Sequence, residues 1–163
     1  MRFIGFMCAT VCGSATAMSG QGLASRDSAD AARVLIAYAV AHPMGVGSSH
    51  GAMTGLAIDS SASRWGALLS AALRQVAPAL WLDAASGPAR TQPHLRVRTV
   101  APQGDSVIVE TVWTWCFPND GGESGWPVIY VLNHLATDWR VASASGSLVG
   151  HGRQCSFGRG GAR

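Results

Sequence analysis

The chain has 163 residues, 48% of them hydrophobic and 13% charged, with a formal net charge of +3 at neutral pH. That is one ordinary domain with enough apolar material for a core, which excludes a disordered chain. Its basic residues are all arginine, so Schiff-base and lysine general-base catalysis are excluded. No basic stripe interleaved with aromatics is there to hold nucleic acid; Arg153, Arg159 and Arg163 form only a loose tail cluster.

The N-terminus reads as an export signal. Met1 and Arg2 precede an apolar run from Phe3 to Cys12, followed by small residues ending in Ala15, Thr16 and Ala17. A basic start, an apolar core and an A-x-A site are the parts of a secretory signal. The run is shorter than the roughly 20 residues a membrane span takes. Cleavage near Ala17 would start the mature chain near Met18, in the periplasm or outside the cell, with no membrane insertion afterwards. Met7 before Cys8 and Val11 before Cys12 do not fit a lipoprotein site. Cys116 and Cys155 are then the only remaining cysteines, an even pair in an oxidising compartment, and read as one disulfide.

A first helix is expected over residues 28–42, with Ser28 as its cap, Asp30 in its first turn and Pro43 as its stop. Ala31, Val34, Leu35, Tyr38 and His42 recur at helical spacing, and Ile36 and Val40 make the other side apolar as well. Residues 44–63 are dense in glycine and serine and read as a loop, with a short helix over residues 53–57. A second helix over residues 64–76 has Ser63 as its cap and a stripe of Trp65, Leu68, Leu69, Ala72, Leu73 and Val76. Pro78 ends it, and residues 79–83 add one more turn carrying Trp81.

The period then changes from helical to alternating. Strands are expected over residues 94–100, 105–115, 127–135 and 138–143, with a polar turn region over 118–125 and a tight turn at Ala136 and Thr137. In the second of these, Val107, Val109, Thr111, Trp113 and Trp115 share one face, and Ile108, Glu110, Val112 and Thr114 the other. Helices followed by antiparallel strands give an α+β fold with helices packed on one face of a curved sheet. The organisation expected is a signal over residues 1–17, one domain over 18–150 and a tail over 151–163 tethered by the disulfide.

Three segments carry a resemblance to a known family: residues 31–38 in the first helix, 68–73 in the second, and the closing hairpin from Val128 to Leu135 and on through Asp138, Trp139, Arg140 and Val141. Together they resemble the cone-shaped superfamily of nuclear transport factor 2, which includes ketosteroid isomerase and scytalone dehydratase. More narrowly, the chain is similar to a family of small secreted bacterial proteins with that fold. The resemblance implies a sheet curled around a pocket closed by helices. Tyr38, Trp65, Trp81, Trp113, Trp115, Trp126, Tyr130 and Trp139 are candidates for its lining or for contact with a partner, although aromatics at such positions also serve a packed core.

For chemistry, Gly47, Ser48, Ser49, His50 and Gly51 spell G-x-S-x-G, but outside the strand-to-helix context that motif needs. Glu110 and His134, both inside expected strands, are the pair a small enzyme would use as base and acid, with Asp59 a lesser candidate. His42, His50, His94, His134 and His151 lack zinc-site spacing, and no metal or other cofactor is expected. The leading expectation is an exported, non-catalytic binding protein, by analogy of fold an immunity-type inhibitor of a protein partner. Its exposed patch would be residues 44–63 or the aromatic sheet end near Trp126. The alternatives are an isomerase, dehydratase or hydrolase built on Glu110 and His134, or a carrier of a small apolar molecule. A homodimer stays open.

Overall fold

The computed structural model describes residues 25–43, 53–61, 63–86, 92–116, 122–146 and 149–154. The elements run α1 (Ser25–Ala41), β1 (Leu56–Ile58), α2 (Arg64–Val76), a 3-10 turn (Pro78–Leu80), β2 (Trp81–Leu82), β3 (His94–Gln103), β4 (Ser106–Cys116), β5 (Gly122–Leu135), β6 (Asp138–Gly146) and β7 (Val149–Gln154). The fold is α+β, two helices with a strongly curled mixed sheet. The expected signal, residues 1–17, and the glycine-rich stretch 44–52, with Ser49 and His50, lie outside the described residues.

α2 forms as its sequence dictates. Ser63 sits in extended conformation and its hydroxyl accepts from the Gly66 N–H at 3.0 Å, satisfying one of the helix's orphan donors. Leu69, Ala72 and Leu73 are buried, whereas Val76, expected in the stripe, is 41% exposed because it lies at the helix's last turn. α1 begins three residues earlier than expected, at Ser25, so Ser28 is a buried helical residue rather than the cap. Ala31, Ala32, Leu35, Ile36 and Ala39 are all fully buried, covering this helix on two sides as its double apolar face requires. α1 packs on α2 and lies along β6.

The sheet order is β2-β1-β3-β4-β5-β6, with β7 beside the first part of β5. β1 is parallel to both β2 and β3; the other pairs are antiparallel. β1 corrects the short helix expected over residues 53–57: Leu56, Ala57 and Ile58 are a fully buried strand, too short to show any period. Trp81 likewise opens β2 instead of closing a helical turn. β5 starts at Gly122, inside the expected turn region, and β7 carries the sheet beyond the boundary set at residue 150.

Two register shifts, between Val97 and Thr99 in β3 and at Val131 and Leu132 against β6, each add a residue to one strand and bend the sheet. The concave face is the core. Val107, Val109, Thr111 and Trp113 of β4 stand opposite Leu132, Tyr130, Val128 and Trp126 of β5, and they pack with Leu95, Val97, Leu35, Ile36, Leu69 and Leu73.

Candidate functional site

The concave face decides where each candidate residue points. β4 and β5 pair Val109 with Tyr130 and Glu110 with Ile129, and directly paired residues share a face. Tyr130 is fully buried while Ile129 is 41% exposed, so Glu110 stands on the convex face. His134 has the parity of Leu132 and Tyr130, pairs with Trp139 of β6, and lies on the concave face with its ring 5.0 Å from the Trp139 ring. The acid–base pair expected of Glu110 and His134 is therefore not formed; one residue of parity puts the sheet between them.

The residues the fold does bring together are aromatic. Trp113 Nε1 donates to the Tyr130 hydroxyl at 3.1 Å, both side chains being buried. Tyr38 meets Tyr130 edge-on at 6.4 Å between centroids and stacks on His42 at 4.4 Å. Tyr38 and His42 are four apart on α1, so helical geometry sets them side by side; the stack was readable in the spacing. Burial pushes the Tyr130 phenol up to about 12, partly offset by the Trp113 hydrogen bond and reinforced by the neighbouring Tyr38.

Trp126 lies directly across from Trp113 and is half-buried, packed against the edge of the core. Trp115, two residues beyond Trp113 on the same face, is also half-buried. These three indoles mark one end of the concave face. Trp65 is half-buried against the core from α2, and Trp81 packs there too while carrying the Arg74 guanidinium 4.2 Å from its ring centre.

The remaining candidates have structural partners. The Asp59 carboxylate accepts from the Ser61 N–H at 3.1 Å and the Ser61 hydroxyl at 2.7 Å, tying the turn ahead of α2. His94 is buried in the first position of β3. Among the described residues no three His, Cys, Asp or Glu side chains gather where they could hold a metal ion. No helix among them is long and apolar enough to cross a membrane. Cys116 ends β4, and Cys155 lies outside the described residues, directly after β7.

Among the described residues one buried group is left over: Trp139 is 7% exposed, and its indole N–H has no hydrogen-bond acceptor among them. Compared with protein-family models, curated proteins and solved structures, the chain finds no significant match in any of the three.

Proposed function

We propose that this chain is an exported, non-catalytic binding protein of the nuclear transport factor 2-like type that holds a protein partner at the aromatic end of its sheet. The observation that carries the reading is the distribution of side chains on the two faces. The concave face is filled with aliphatic and aromatic groups and runs out in Trp113, Trp115 and Trp126. The carboxylate that a general acid–base site would draw on, Glu110, lies behind the sheet. Trp115 and Trp126 are half-buried where Trp113 is buried, and large, rigid indoles of that kind lose little side-chain entropy when they are covered and are enriched at interface centres. Support for the cone-like reading comes from the curled sheet, with a helix lying along β6 and a second helix entering between β1 and β2. An inhibitor covering another protein's active site fits such an end, by analogy of fold.

A small apolar ligand is the second reading, and the Trp139 indole N–H favours it. A buried donor without an acceptor costs on the order of 1–3 kcal/mol, which an acceptor-bearing molecule inside the cone would offset.

The test is binding with and without the end indole. Trp126→Ala weakens the complex with the partner about tenfold or more if the indole anchors it. Unchanged affinity would place the partner elsewhere.

A further inference from the structure

We draw no further inference here: the strongest candidate, the apolar patch of Ile108, Val112, Ile129 and Val131 on the convex face of β4 and β5, is an unpartnered sheet face, and nothing in the structure shows what covers it.

Discussion

The indole N–H of Trp113 donates to the hydroxyl of Tyr130 across the β4–β5 ladder, and neither group has access to solvent. This bond joins the two central strands at the middle of the core, where Tyr38 of α1 also arrives. Tyr130→Phe removes the acceptor and leaves a buried donor, at a cost of about 1–3 kcal/mol. The same phenol makes stability depend on pH. Its pKa is about 12 in the fold against 10.0 for the free group, so the folded state keeps a proton that the unfolded chain gives up. The contribution is complete below about pH 10 and is lost as pH rises toward 12, amounting to about 2–3 kcal/mol. Urea unfolding at pH 9 and at pH 11 measures it. Tyr130→Phe should flatten that slope, and an equal slope in the variant would contradict the assignment.

Gly66 shows a local preference overruled by packing. In an exposed helix, glycine to alanine gains about 1 kcal/mol. Here a Cβ on Gly66 would run into the backbone carbonyl of Asp59, in the turn that leads into α2. Gly66→Ala is expected to destabilise by about 2 kcal/mol. Ala67→Gly, exposed one residue later, should cost only about 1 kcal/mol. Thermal or urea unfolding of both variants checks the contrast.

Ala136 has a φ of 56° in the β5–β6 turn, the left-handed region, where Gly104 serves at 58° in the β3–β4 turn. The side chain makes that conformation costly. Ala136→Gly relieves it and is expected to stabilise by about 0.5–1 kcal/mol after the greater unfolded-state freedom of glycine is counted. A higher urea midpoint is the expected reading, and a lower one would contradict the turn geometry.

Much of this fold is legible in the residues. The Ser63 cap and the Leu69, Ala72, Leu73 stripe define α2. The alternation from Val107 to Trp115 gives both faces of β4, and the Ala136–Thr137 turn is found where expected. What escaped is what carries no period or depends on a distant partner. Leu56, Ala57 and Ile58 are a strand only because β2 and β3 flank them. Gly122 to Gly125 read as turn, and become strand by pairing with both β4 and β7. The candidate pair failed for a related reason. Alternation places Glu110 on one face of its own strand, but only the β4–β5 register tells that His134 lies on the other.

The pairing of Cys116 with Cys155 rests on the sequence. Cys116 lies opposite Glu123, Glu123 opposite Arg153, and Cys155 follows two residues later. β4 and β7 thus flank that end of β5 on opposite sides, with β5 between them. We propose that the two cysteines are bonded. Closing a loop of about 40 residues contributes about 3–4 kcal/mol. Alkylation of the unfolded protein without reductant should leave both unlabelled, and reduction should lower the urea midpoint. Ready labelling without reductant would remove the bond.

Native mass spectrometry of the protein isolated from the envelope of its own host tests the functional reading most directly. Binding at the aromatic end predicts a chain starting near Met18 in a particle with a second, different polypeptide, and loss of that polypeptide from the Trp126→Ala variant. An unprocessed chain would contradict export. A particle holding only a few hundred daltons that leave on unfolding would contradict the protein partner, and would put the ligand beside Trp139.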